Sequence, residues 1–523
     1  MSGKILDDIG EPLPGATVIV THLPSGTVYG TSSQVNGNFN FPALRVGGPY
    51  SFKVSFIGFE DYELEGLFLE LGTNFSTQIT LSENSIELDG IEVVAQASTS
   101  GATSGANTQV STEEIENLPT TDRSINDFLR LTPQSSSYGD GISFAGINNR
   151  FNAIYIVGAV NNDVFGLASS GTNGGQTGIT PFSLDIIDQL QVVLSPYDVT
   201  YGGFAGGGIN AVTKSGTNQF QGSAYTYFQN ENYIGKTNGV QADRLSIERE
   251  KVDEFSEKIY GITAGGPIIE NKLFFTNLEI QRNESPSVYE IESYTSTAGR
   301  SSITDLNNLK DYLISNYNYN PGSFGSVTDN LDGNKIFAKL DYNINESNFL
   351  TLRHQYTKGE SFDRSTGSST NVLFSNTGVF FPTTTNSTAL ELNSIFGTKY
   401  SNNLIVSLVT VRDDRDPIGG DFPYVIIQDG AGGEIEFGSE QYSTGNKLDT
   451  DIISVTNNFQ IYSGNHTITL GAHNEFYSIY NLFVPQNYGV YEFDSINDFM
   501  SGNPASAYGR SYSLVDNLTG DGS

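Results

Sequence analysis

The stretch Lys335-Ile336-Phe337-Ala338-Lys339-Leu340-Asp341-Tyr342-Asn343-Ile344 decides the fold. Side chains of a β-strand alternate between two faces. One face here carries Ile336, Ala338, Leu340, Tyr342 and Ile344, and the other Lys335, Phe337, Lys339, Asp341 and Asn343. Residues 466–477 repeat the arrangement: Ile468, Leu470, Ala472, Asn474 and Phe476 oppose Thr467, Thr469, Gly471, His473, Glu475 and Tyr477. The same period runs through 222–229, 258–265, 272–282, 348–358, 389–400, 403–413 and 451–463. Strands of roughly ten residues with one apolar face suit a wall that meets lipid outside and a polar lumen inside. A soluble sandwich favours strands of about five or six residues and shorter connections than 283–334 or 362–388. The reading is therefore a transmembrane β-barrel, with Tyr and Phe at strand ends forming the interfacial girdle in a chain that has no Trp.

Composition agrees. The chain has 523 residues, with 26 Lys plus Arg against 59 Asp plus Glu and a net charge of -33. Its 28 Tyr and 33 Phe separate it from acidic disordered chains, which are poor in aromatics. Nucleic acid is excluded as a partner, because little here could neutralise phosphates. The acidity reads either as a solvated surface or as external loops that attract cations or basic ligands. The absence of Cys removes thiol catalysis and Cys-based zinc sites. No run approaches the roughly 18 apolar residues of a membrane helix, a limit that does not apply to alternating strands.

Two units precede the wall. Residues 1–86 hold short alternating segments, among them Thr17-Val18-Ile19-Val20-Thr21 and Tyr50-Ser51-Phe52-Lys53-Val54-Ser55-Phe56, with a turn about every ten residues. A small antiparallel sandwich is expected. Residues 87–216 open with Leu88-Asp89-Gly90-Ile91-Glu92-Val93-Val94-Ala95 and a Ser/Thr/Gly-rich linker at 96–108. The opening segment could add as a strand to a partner's sheet edge, or be the last strand of the sandwich. Ser111-Thr112-Glu113-Glu114 is an N-cap with an acidic first turn, and Ile125, Phe128 and Leu129 share one helical face. Strands follow at 152–158 and 186–193, then Tyr201-Gly202-Gly203-Phe204-Ala205-Gly206-Gly207-Gly208-Ile209-Asn210-Ala211-Val212-Thr213-Lys214-Ser215-Gly216. This glycine cluster is no phosphate loop: no Gly directly precedes Lys214, and a strand follows instead of a helix.

These residues resemble known families. Residues 1–86 look like the carboxypeptidase regulatory-like domain, a transthyretin-like sandwich. The run 188–216 resembles the end of the plug domain of TonB-dependent outer-membrane receptors, and Gly146-Ile147-Asn148-Asn149-Arg150-Phe151 resembles the plug's central hairpin. The plug motif then comprises Asn148, Asn149, Arg150, Tyr201, Gly202, Gly203, Gly206, Gly207, Gly208, Asn210, Thr213 and Lys214. Family members often carry an acidic residue before the glycine of that hairpin, where this chain has Val157, so no role is assigned there. Leu88, Asp89, Gly90, Ile91, Glu92, Val93, Val94 and Ala95 stand where the family places its TonB box. The turn at 265–275 resembles the periplasmic turn of the Oar-like, OmpA-related branch, which also begins with the regulatory-like sandwich.

The resemblance implies an all-β-dominated chain in three parts: a regulatory-like sandwich (1–86), box and mixed α/β plug (87–216), and outer-membrane barrel (217–523). It implies active uptake of an unidentified ligand, with a TonB-type energy-coupling protein, outer-membrane lipid and an extracellular ligand as partners. The location is the Gram-negative outer membrane, with the first domain periplasmic. About 22 strands are typical of the class, and roughly nine or ten are legible, so a chain lacking its signal peptide and C-terminal strands is expected. The alternative is an outer-membrane adhesion or assembly protein that binds carbohydrate or a protein through the sandwich. No enzyme is expected, and no cofactor or metal site is assigned. His466 and His473 are seven apart on one strand, hence on opposite faces, and His22 and His354 are isolated in sequence. Asp413-Asp414-Arg415-Asp416 and Asp421 could ligate a hard cation or form an exposed turn.

Overall fold

The computed structural model describes residues 1–83 and 106–512, apart from positions 43, 73, 74, 121, 122, 138–140, 195, 197, 247, 270, 271 and 465. The segment 88–95, read from sequence as standing where a TonB box is placed, lies outside the described residues.

Seven strands come first: β1 (Ser2–Asp7), β2 (Thr17–His22), β3 (Thr27–Ser32), β4 (Asn38–Asn40), β5 (Gly47–Ser55), β6 (Tyr62–Leu69) and β7 (Ser76–Leu81). They make two facing sheets, ordered β4-β1-β7 and β3-β2-β5-β6. Val18 and Val20 of β2 and Tyr50, Phe52 and Val54 of β5 are buried between them, as the period-two pattern requires. The sandwich is not wholly antiparallel, contrary to expectation. β7 pairs parallel to β1, from Ser2 opposite Ser76 to Asp7 opposite Leu81. Alternation fixes which side chains point inward and leaves strand direction open.

The second unit contains β8 (Ala106–Val110), α1 (Thr112–Asn117), α2 (Asn126–Leu129), β9 (Ser135–Ser136), β10 (Ser143–Phe144), β11 (Ala153–Ile156), β12 (Ala159–Val160), β13 (Ile187–Leu194) and β14 (Gly207–Thr213). Five of these strands form a mixed sheet in the order β12-β11-β14-β13-β8. Ser111 and Glu114 close a reciprocal capping box on α1, and Ile125, Phe128 and Leu129 enter the core. The linker read at 96–108 ends earlier than expected. Residues 106–108 belong to β8, whose Ala-Asn-Thr-Gln-Val sequence pairs with β13 through backbone groups and carries little apolar signal.

The wall is a nine-stranded antiparallel sheet. In chain order the strands are β15 (Gln221–Asn230), β16 (Ser256–Ile269), β17 (Lys272–Ser287), β18 (Val327–Asn345), β19 (Asn348–Asp363), β20 (Asn371–Leu373), β21 (Val379–Phe396), β22 (Tyr400–Pro417), β23 (Tyr424–Asp429), β24 (Gly433–Phe437), β25 (Asn446–Ser463), β26 (His466–Phe483), β27 (Val490–Phe493) and β28 (Ala507–Gly509). β20, β23, β24, β27 and β28 lie outside the wall. Strands reach 19 residues in β18, longer than the alternation suggested. The reason is visible in β21, where Thr383, Thr385 and Ser387 face inward in a run with almost no apolar residue. Connections alternate short and long. β18–β19, for example, turn within two residues, the form outer-membrane barrels show on the periplasmic side.

The long connections, read from sequence only as long loops, carry strands and helices of their own. β20, β24, β23, β27 and β28 form a separate five-stranded sheet. The capped helix Ile303–Tyr317 packs on it through Leu306, Leu309 and Leu313. Ser302 and Asp305 close its capping box, and the Leu spacing of three and four residues was a legible helical signal.

The wall's polarity is inverted relative to a soluble protein. Phe274, Leu340, Leu352, Leu390, Val406 and Val455 align across six neighbouring strands. Leu340 of this row is 44% exposed. The row one residue along is buried: Phe275, Lys339, Arg353, Ala389, Ser407 and Ser454. Apolar side chains outside and Lys and Arg inside make sense only when lipid is the outer solvent. Because the chain has no native Trp, a single introduced one reports this directly. Leu340→Trp in reconstituted protein is expected to be quenched strongly by brominated lipid acyl chains, and Phe337→Trp, one face over, to be shielded. Equal quenching would contradict the assigned faces.

Candidate functional site

The concave face of the wall holds the five-stranded unit, and buried polar groups join the two. Glu279 and Lys335 sit opposite each other on β17 and β18, with Glu279 Oε1 3.0 Å from Lys335 Nζ and side chains only 4% and 5% exposed. Their other valences are filled largely by the plug. Ser183 Oγ donates to Glu279 Oε2 at 2.6 Å, and Lys335 Nζ donates to Thr180 Oγ1 at 2.9 Å. Tyr225 of β15 donates to the same Glu279 oxygen at 3.0 Å. An ion pair withdrawn from water is tolerable only with such complete hydrogen bonding.

Further along, Lys339 Nζ donates to the carbonyl of Thr213 at 3.1 Å. Gln355 Nε2 donates to the Pro181 carbonyl at 2.6 Å, and Arg353 Nη2 to that of Ile156 at 2.9 Å. Gln176 Nε2 donates to Asp413 Oδ2 at 2.6 Å, while Thr383 donates to Asp413 Oδ1 at 2.7 Å. Asp413, weighed from sequence as a cation ligand, is thus committed to holding the plug. Among the described residues no group of three or more His, Asp or Glu is placed to hold a metal ion.

The plug-motif residues divide by role. Asn148 caps a short turn, accepting from the Arg150 amide at 3.0 Å, and Asn149 Nδ2 donates to the Ser169 carbonyl. Arg150, Tyr201, Gly202 and Gly203 come together on a cavity of about 1030 Å³ between the plug and β25–β26, which His473, Glu475 and Tyr477 also line. Tyr155 OH donates to the Gly202 carbonyl. Asn210 Nδ2 donates to Gln191 Oε1 at 3.2 Å, tying β14 to β13. Two of the glycines are set by close approach: a Cβ on Gly206 would lie 2.3 Å from Asn152 Oδ1, and one on Gly207 2.6 Å from the Phe144 ring. Gly208 pairs with Val193 in the same sheet. Thr213 meets Lys339 as described, and Lys214 Nζ lies 3.3 Å from Glu116 Oε1 of α1. Thr213 and Lys214 line a second cavity of about 960 Å³ at the short-turn end, shared by sandwich, plug and wall. The structure therefore does not gather the motif into one site.

The hairpin β11–β12 turns through Val157 and Gly158, at φ +48° and +71°. Two consecutive positive φ values define the mirror-image turn that favours Asn-Gly or Asp-Gly. A β-branched residue there costs about 1–2 kcal/mol. The Val157 amide is held by the Ala211 carbonyl at 2.8 Å, and Arg353 holds the Ile156 carbonyl just before it. Sequence reading left Val157 without a role. The lumen-side wall residues are likewise legible only as a polar face, since their plug partners lie 96 to 237 residues away.

Comparison with known proteins agrees with this architecture. Residues 1–82 match the family model of the carboxypeptidase regulatory-like domain, and residues 212–309 that of an outer membrane beta barrel domain. The chain is 25% identical over 278 residues to the TonB-dependent transporter Oar of Myxococcus xanthus, covering 50% of this chain and 25% of that protein. The outer membrane transporter YddB of Escherichia coli shares the fold with a TM-score of 0.56 at 14% identity, over 77% of this chain and 51% of that one. The chain thus spans a quarter of the curated relative's length and about half of YddB's. Both similar proteins are named as transporters. The chain thus joins a regulatory-like sandwich to an outer-membrane β-barrel wall in the Gram-negative outer membrane, and is similar in sequence to the TonB-dependent transporter Oar.

Proposed function

We propose that the protein is a TonB-dependent outer-membrane receptor that takes up an extracellular ligand by moving its plug. On this reading residues 1–86 are a periplasmic regulatory-like domain, 87–216 the box and plug, and 217–523 the wall. Leu88–Ala95 is the strand that a TonB-type protein captures by edge addition. The observation that carries the reading is the polar seam. A wall that needed only stability would fill its lumen side with apolar packing, whereas Glu279, Lys335 and Lys339 grip the plug through bonds that water can replace. Such a plug is held firmly and can still be released. The five-stranded outer sheet, at the end of the wall opposite the short turns, supports a role in meeting ligand first.

Two experiments test this. In the full-length protein, deletion of 88–95 is expected to abolish capture by the periplasmic domain of a TonB-type protein while leaving heat-modifiable membrane insertion intact. Undiminished capture would refute the box assignment. Separately, Lys335→Met strands a buried carboxylate, at a cost of about 3–5 kcal/mol, and is expected to open intermittent conductance in planar bilayers. Lys335→Met combined with Glu279→Met removes both charges and is expected to restore the seal. A single variant as tight as the parent protein would show that the seam does not hold the plug.

A further inference from the structure

We propose that the N-terminal sandwich is a latch: it is clamped across the two plug strands that TonB would part and moored to the wall, so the plug can move only after the sandwich leaves. This rests on the transport reading above and adds a regulatory step to it. The clamp is at Leu71, in the turn between β6 and β7. Its amide donates to Gln189 Oε1 at 2.9 Å, and its carbonyl accepts from Gln109 Nε2 at 2.6 Å. Gln109 lies on β8, and Gln189 on β13. Among the described residues β8 is the edge strand of the plug sheet, paired to β13 alone, from Ala106 opposite Leu194 to Val110 opposite Leu190. One backbone position of the sandwich therefore staples the edge strand to its neighbour.

The mooring is equally specific. Asn343 Nδ2 of β18 donates to Thr27 Oγ1 at 2.8 Å, and the Asn218 amide donates to the Pro24 carbonyl at 2.8 Å. The Tyr29 and Phe349 rings lie 5.0 Å apart. Arg45 reaches within 3.6 Å of Asp341, whose side chain is 3% exposed on the lumen face. Pull applied between residues 83 and 106 therefore tensions two bodies at once: the sandwich on one side and β8 on the other. While Leu71 joins them, the load returns to the wall and does not peel β8 from its free end. These few hydrogen bonds, one ring contact and one ion pair can yield under load without unfolding either unit.

Because the chain lacks cysteine, the latch can be locked and probed cleanly. The membrane-inserted protein is pulled in a force microscope through an enzymatically attached tether on a thiol-free peptide tag inserted after Gly90. It is compared with Gln109→Ala plus Gln189→Ala, and with Thr27→Cys plus Asn343→Cys closed by a short thiol cross-linker before the tether is attached. The parent is expected to rupture twice, undocking before plug extension. The double alanine change should release the first step roughly tenfold faster, and the cross-link should block plug extension until it is cleaved. Plug extension at the same force and rate in all three would overturn the latch. If no plug extends even in the double alanine variant, the transport reading fails instead, whatever the sandwich does.

Discussion

The structure depends on one constraint: a sheet whose outer face meets hydrocarbon must put its ionisable groups inward, and those groups must then find partners there. Lys335, Lys339, Arg353 and Glu279 are all at most 5% exposed. Within the lumen their available partners are each other and the backbone and hydroxyls of whatever fills the space. The plug answers with the carbonyls of Ile156, Pro181 and Thr213 and the hydroxyls of Thr180 and Ser183. The wall thus dictates the polar character of its contents, and the plug's fold dictates where its carbonyls stand.

This arrangement explains how the plug keeps an apolar core of its own and is still precisely seated. Its sheet brings Ile154, Ile156, Leu190, Val192 and Ile209 together, and only Phe275 and Phe337 of the wall join that cluster. Apolar packing stabilises the plug internally, while hydrogen bonds fix it to the wall. The two kinds of contact have different consequences. Core burial is hard to exchange for anything else, whereas hydrogen bonds to carbonyls and hydroxyls can be traded for bonds to water at small net cost. The strained turn at Val157, held by Ala211 and Arg353, sits at this boundary.

Much of this architecture was readable in the sequence, for identifiable reasons. Period-two alternation marks strands whenever two different solvents face them, so the pattern over Lys335–Ile344 alone locates β18. It failed where both faces are polar, as at Thr383–Ser387, and it could not tell the parallel pairing of β1 with β7. The capping signature at Ser111 was visible because it is local, and the same signature at Ser302 was passed over inside a region taken for loop. The seam was hidden for a different reason. Glu279 and Ser183, or Gln355 and Pro181, meet only through the closure of the wall, and no spacing along the chain announces such a pairing.

The outer five-stranded sheet has a consequence for how this surface can diversify. Its strands are drawn from three separate stretches between or beyond the wall strands, and they share one apolar cluster with the helix Ile303–Tyr317 from a fourth. Leu309, Val372, Val425 and Phe499 come from four different stretches yet bury one another. Loops that each stood alone could be exchanged singly between relatives, as interchangeable fingers. Here a foreign segment grafted between β22 and β25 would have to match residues supplied by three others. Variation is therefore channelled to the rim and to the sheet's free face, while the shared cluster makes the outer surface inherit as a block.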